Sequence, residues 1–510
     1  MKTKKAGAGK PMAVLKERLV EIAYLSSIGQ VLGWDQEVHM PEKGADARAA
    51  AAALISGIVH KKMVALDDDG LLSTLKKQLD AKQLRGKDAV IVAETWRSFA
   101  REKKLPEAFV TELSETVAKA QHVWARARKE NDFKTFLPWL TKIVELKRKE
   151  AALVGFQDSP YDALLDSFEP GLTAKEASVI LNDLKDFLVP FLKELRRTHV
   201  KADPKRLRGA FPLEKQLAFN RRVAEAMGFD FAAGRMDESV HPFTTTFHTQ
   251  DVRITTRFRE DDALYAIGGT IHETGHALYE QGLPSEHFGT PLGETVSLGI
   301  HESQSRLWEN MIGKSKEFWT YFYPKLRKEF PKPFKEVSLD EFLRIINSVQ
   351  PSLIRMDADE VTYNLHIILR FEIEKELIEG AIDPADLPAV WRAKMKEYLG
   401  VTVPSDAKGV LQDVHWSAGY FGYFPTYTLG NLYAAQFYAA MERDIPDLAK
   451  RIARGDFATP REWLRKNIHL HGKTYEAAKL VKRVTGEPPT SRYFIDYLKA
   501  KYGKLYPPKK

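Results

Sequence analysis

Apolar residues recur every third or fourth position over most of this chain, a period that commits it to helices. In 106–131, Phe109, Leu113, Val117 and Val123 mark one face behind an opening Pro106. Residues 133–154, 174–198, 338–349, 359–378 and 472–485 read the same way. One stretch departs. His241–Phe258, HPFTTTFHTQDVRITTRF, is rich in Thr, Phe and Val with near-alternation. It predicts a hairpin with strands at 243–248 and 252–258 and a turn at 249–251. Turn signals such as Glu169-Pro170-Gly171 and Gly282-Leu283-Pro284 punctuate the helices without an obvious linker. No fixed-period repeat is present.

Composition narrows the function. The 510 residues are 44% hydrophobic and 29% charged, enough for a large core without staples. Cysteine is absent, which excludes disulfides, thiolate metal sites and Cys nucleophiles. The formal charge of +8 is misleading. Four lysines crowd the first ten residues, and Lys499, Lys501, Lys504, Lys509 and Lys510 crowd the end, neither stretch holding an acid. Without these nine the body carries 68 bases against 69 acids, no argument for nucleic acid. Both ends read as solubilising tails, 1–11 and 504–510, around a single helical domain at 12–503 with two lobes about a cleft. No run resembles the roughly 20 apolar residues of a membrane span, and the start makes a poor signal peptide. The expectation is a cytoplasmic protein with no membrane and no nucleic-acid partner.

The most informative residues follow the hairpin. In IHETGHALYEQG, His272, Glu273 and His276 form H-E-x-x-H. On a helix, positions i and i+4 share a face, so both imidazoles reach one ion while Glu273 approaches its water. Catalytic zinc takes three protein ligands. Without Cys, the third is a His or carboxylate, and Glu286, His287, Glu294, His301 and Glu302 are candidates. A second helix is expected at 295–312. Spacing favours Glu302 at its centre, with Glu294 as runner-up.

Further segments carry a resemblance. HPF at 241–243, DVRIT at 251–255, HETGH at 272–276, HESQS at 301–305, IRMDAD at 354–359 and GVLQDVHW at 409–416 keep their order along the chain. WDQEVHMP at 34–41, YDALLDSFEPG at 161–171 and FGYFPTYTLGN at 421–431 extend the set. Together they resemble the carboxypeptidase Taq family, peptidase family M32. The departures are mild: Val38, His39 and Asp357 stand where related sequences often carry other residues.

That resemblance implies a mostly α fold, a large helical zincin of the neurolysin and angiotensin-converting-enzyme kind. A deep cleft and a small β-sheet beside the metal belong to it. It implies a homodimer that releases single residues from peptide C-termini with broad specificity, using Zn²⁺ or Co²⁺. It assigns the third ligand to Glu302. Glu273 would be the general base. His415 and Tyr423 would stabilise the oxyanion, with Tyr420 and Tyr427 competing for the second place. Arg355 is the position assigned to the substrate's α-carboxylate, with Arg253 a second candidate. His241 would line the cleft, and Gln412 would touch substrate backbone. Asp359 and Glu360 are expected to orient the ligand imidazoles. Two alternatives stand beside this. One is an oligo-endopeptidase or dipeptidyl-carboxypeptidase of the same chemistry. The other is a non-catalytic scaffold with a structural metal.

Overall fold

Helices form where the apolar period places them, and their starts are capped as the sequence requires. We describe a computed structural model covering residues 9–198 and 202–507. Glu107–Glu130, Phe133–Val154 and Ala174–Arg197 match their expected spans closely. Asp132 accepts from Thr135 N at the second, and Thr173 with Glu176 forms a capping box at the third. The fold is mostly helical with one small sheet.

Buried apolar side chains fall into two large groups. A smaller one joins Leu15 and Leu19 of the first helix, Gly9–Val38, to Leu72, Leu75 and Phe99. A larger one runs from Ala120 to Tyr506 and surrounds the helices of the site.

The sheet has three strands where the hairpin supplies two. β1 is Gly234–Glu238, β2 Thr244–His248 and β3 Asp251–Thr256. Their order is β1-β3-β2, with β1 parallel and β2 antiparallel to β3. β1, of sequence GRMDE, has no β-prone run and becomes a strand only by pairing with β3. Val252 and Ile254 are fully buried and pack with Ala277 of the helix Ala263–Gly282. That packing fixes the sheet against the H-E-x-x-H helix.

Several expectations need correction. The helix expected at 359–378 begins at Thr362, because the Asp359 carboxylate accepts from Val361 N and Thr362 N. The one expected at 472–485 begins at Ala477, since Gly472 takes φ +49° in the turn before it. The segment 295–312 divides into an α-helix, Leu298–Arg306, and a π-helical turn, Leu307–Ile312. The C-terminal tail is not a tail at 504: helix Arg492–Leu505 runs through it, and the Tyr506 hydroxyl accepts from Val349 N. Lys501 is no solubilising group either. Its ammonium is partly buried, 2.7 Å from the buried Glu360. At the other end residues 1–8 lie outside the described residues, and those from Gly9 on are helical through Val38. The run Glu42–Asp67 is 26 residues with a window of mean hydropathy 1.4. By length and composition it is apolar enough to cross a membrane, against the expectation, its hydropathy carried by an alanine-rich run at 45–53. Arg48 within it pairs with Asp35 of the first helix at 2.5 Å.

Candidate active site

The helix Ala263–Gly282 opens on Asp262, whose carboxylate accepts from Leu264 N and Tyr265 N. Helical spacing sets the His272 and His276 rings 4.9 Å apart. The helix Leu298–Arg306, capped by Ser297, packs against it. Close approach depends on Gly275. A Cβ there would sit 2.7 Å from Ser305 Cα and 2.9 Å from the Gln304 carbonyl oxygen.

Glu302 thereby meets both histidines. Its Oε2 lies 3.4 Å from His276 Nε2 and 3.8 Å from His272 Nε2. The three ligand atoms lie within 4.8 Å of one another. Tetrahedral ligands on bonds of about 2.1 Å stand roughly 3.4 Å apart, so this donor set fits a zinc-sized ion. Among the described residues the group has three members, the number a catalytic zinc takes. Three of the other candidates are engaged elsewhere, Glu294 with Lys473, His287 with Lys87 at 2.8 Å and His301 with Glu280 at 2.9 Å, and Glu286 lies in the short turn Ser285–His287, outside the group.

Protonation suits the same use at three of the four groups; at His272 burial opposes charge, but Glu302 and Glu309 outweigh it and raise the imidazole, so an ion would have to displace a proton there. Burial and the neighbouring His301 push the His276 imidazole down to about 3, so it stays neutral, as a ligand must. Burial opposes charge on Glu302, but Arg306 and the histidines outweigh it and hold the carboxyl well below its ordinary range. Arg306 Nε occupies Glu302 Oε1 at 2.6 Å, leaving Oε2 toward the imidazoles. Glu273 is buried on the next position of the helix, its Oε2 2.7 Å from the Thr244 hydroxyl on β2. Burial raises its carboxyl above the ordinary value, the direction a general base needs.

The imidazole-orienting carboxylate is Glu309, not Asp359 or Glu360. Its Oε2 is 2.8 Å from His272 Nδ1 and 3.1 Å from Arg306 Nη1. Asp359 is used as a helix cap, with Gln350 N also donating to it, and Glu360 is held by Lys501 and Tyr502.

From Glu302 a chain of contacts leads to Arg355. The Arg306 guanidinium lies 4.5 Å from the Tyr363 ring centre. The Tyr363 hydroxyl accepts from Arg355 Nη1 at 3.2 Å. Arg355 is 7% exposed and its Nε donates to Asp413 at 3.0 Å. Asp413 also takes Arg370 through two nitrogens. Burial works against the Arg355 charge, but Asp413 more than restores it. Among the described residues, Arg355 Nη2 has no protein acceptor within hydrogen-bond distance.

The aromatic run resolves partly. His415 Nε2 is 3.3 Å from the Tyr427 hydroxyl, and its ring lies 5.4 Å from Tyr423. Burial holds His415 down to about 4. The hydroxyls of both Tyr423 and Tyr427 are raised, by burial first and by the nearby Glu302 charge among lesser causes. Tyr420 is half exposed and stacks on Tyr423 at 5.8 Å, the outermost of the three.

Three expected contacts read differently. The Gln412 amide is buried and occupied: its oxygen accepts Arg355 N at 2.9 Å and its nitrogen donates to Leu353 and Gly409 carbonyls. Those bonds tie it to the Arg355 backbone. Arg253 is clasped by both Asp251 oxygens and lies over Trp34 at 4.2 Å and Phe247 at 4.7 Å. His241 is exposed, and its carbonyl accepts from the Ser239 hydroxyl.

Thr244, Glu309, Arg306, Tyr363 and Asp413 were missed. Asp413 lies within GVLQDVHW, and Glu309 lies two turns beyond Glu302; Thr244, Arg306 and Tyr363 carried no signal.

The family model described as Carboxypeptidase Taq (M32) metallopeptidase matches residues 14–502. The chain is 43% identical over 499 residues to thermostable carboxypeptidase 1 of Thermus thermophilus, covering 95% of this chain and 97% of that one. It is 41% identical over 488 residues to carboxypeptidase 1 of Bacillus subtilis, with 96% and 97% covered. Among solved structures, the M32 carboxypeptidase of Deinococcus radiodurans matches with a TM-score of 0.92 and 39% identity, over 98% and 99% of the two chains. Metallocarboxypeptidase 1 of Trypanosoma cruzi matches with a TM-score of 0.92 and 35% identity, over 97% and 100%.

Proposed function

We propose that this chain, which belongs to the carboxypeptidase Taq (M32) family and is a metallocarboxypeptidase, releases single residues from peptide C-termini with broad preference. The observation that carries the polarity is Arg355: buried, braced by Asp413 and Tyr363, with one nitrogen left for a substrate carboxylate.

A divalent ion, zinc by the donor chemistry or cobalt by the same donors, would be held by His272, His276 and Glu302. Bound there, it supplies Lewis acidity toward the scissile carbonyl and lowers the pKa of water. The chain's own residues do the rest. Glu273, held by Thr244, takes the attacking water's proton and returns it to the leaving amine. Tyr423 and His415, with Tyr427 behind them, face the developing oxyanion with polar hydrogens. Gln412 fixes the Arg355 backbone, so the carboxylate anchor keeps its distance from the reacting carbon. From the family resemblance we also propose a cytoplasmic homodimer.

The test is a mass-spectrometric time course on one peptide with a free and an amidated C-terminus, with and without chelator. Stepwise loss of single residues from the free peptide only, abolished by chelator, is the expected result. Equal cleavage of the amidated peptide, or internal cuts, overturns the exopeptidase reading.

A further inference from the structure

Glu374 lies in the helix Thr362–Glu379 and is completely buried. Burial raises its carboxyl to about 7, and its oxygens stay there only because donors meet them. Three do. Trp416 Nε1 donates to Oε1 at 2.9 Å, while Gly422 N at 3.0 Å and the Tyr161 hydroxyl at 2.6 Å donate to Oε2.

Two of these donors are placed tellingly. Trp416 follows His415 directly, and Gly422 precedes Tyr423. Between them the chain closes on itself, Tyr420 N donating to the His415 carbonyl at 2.9 Å and Gly419 N to the Trp416 carbonyl at 3.0 Å. Gly422 has φ +90°, and a Cβ there would sit 2.7 Å from the Leu164 carbonyl carbon. The loop therefore rests directly on the helix Pro160–Leu165, which presents Tyr161. Neither end can shift without breaking a bond to the same carboxylate.

We propose that Glu374 is a positioning residue that sets His415 and Tyr423 relative to each other by holding both ends of the loop between them. This rests on the reading of that pair as the oxyanion-side groups. Donors to an oxyanion act only within about 2.7–3.1 Å, so small loop shifts cost turnover more than binding. Glutamine cannot replace the carboxylate. It offers one accepting oxygen, and its NH₂ would face a donor.

The test compares Glu374→Gln with wild type on a free-C-terminus peptide, together with metal content and melting temperature. The expected result is a fall in kcat on the order of 10- to 100-fold, with KM within about threefold and metal content unchanged. Combined with Tyr423→Phe, the double variant should be little worse than the poorer single variant, because both act on one group. Trp416→Phe removes a single donor and should show the same pattern more weakly; it carries the test if Glu374→Gln does not fold. A folded variant with kcat within twofold of wild type, or with its whole loss in KM, overturns the proposal. His415→Ala and Tyr423→Phe separate the two ideas. If they leave kcat unchanged, the oxyanion reading falls and this proposal with it. If they lower kcat while Glu374→Gln does not, only the proposal falls.

Discussion

His272 Nδ1 and Glu309 Oε2 stand 2.8 Å apart, and the carboxylate belongs to a π-helical turn rather than to either ligand helix. π-turns are rare and cluster at functional sites. Here the turn carries a negative group behind one imidazole, fixing its tautomer so that Nε2 looks toward Glu302. Burial opposes charge on Glu309, but Arg306 outweighs it and holds the carboxyl far below its ordinary range, so it accepts at every physiological pH.

Replacing Glu309 by Gln keeps an acceptor but removes its charge. Metal affinity should drop on the order of 10- to 100-fold, with the general base untouched. Competition with a chelator of known strength measures this directly. Unchanged affinity would make the contact an accident of packing.

Glu273→Gln should leave metal content at the wild-type level while kcat falls by roughly 10²–10⁴. Elemental analysis and steady-state rates on the same preparation check both halves. A variant that turns over normally removes Glu273 as the base.

Arg355→Ala should erase most of the preference for a free over an amidated C-terminus. Loss of a buried charged contact to substrate is worth about 2–5 kcal/mol, so the ratio of kcat/KM values should shrink on the order of a hundredfold. Were the ratio to stay put, Arg253 or another cation would hold the carboxylate.

Glu169 gives a pH signature. Burial drives its carboxyl up to about 7, although Gly299 N, the Ser297 hydroxyl and the Tyr433 hydroxyl all donate to it. The folded state thus keeps a proton that the unfolded chain releases above its ordinary value of 4.5. Stability from this group is full below 4.5 and is lost as pH rises to 7, by about 3 kcal/mol. Glu169→Gln cannot titrate. The stability advantage of wild type over variant should decline across that window in denaturant melts, and a constant difference would mean the carboxyl stays charged throughout.

What the sequence disclosed was what local period controls. His272 and His276 are tied by one helical turn, and β2 and β3 by alternation across a short turn, so both were readable. Glu302 was placed by a helix whose first part formed as expected. What escaped depended on distant partners. β1 is charged and short, and only β3 makes it a strand. Lys501 looked like a tail because its window holds no acid, while Glu360 is 141 residues away. Asp359 and Glu360 had the right chemistry for the imidazoles, but a carboxylate's type does not tell which way a helix start turns it.

The contact at Gly275 has a consequence for ion choice. With main chain 2.7 Å from where a methyl group would stand, the gap between imidazoles and carboxylate is gauged by backbone against backbone. Rotamer adjustment cannot restore that gauge once one carbon intrudes. A relative could keep every donor and still fail to grip a small cation, because the cage's dimensions are written in the spacing of two helices and not in the residues that do the gripping.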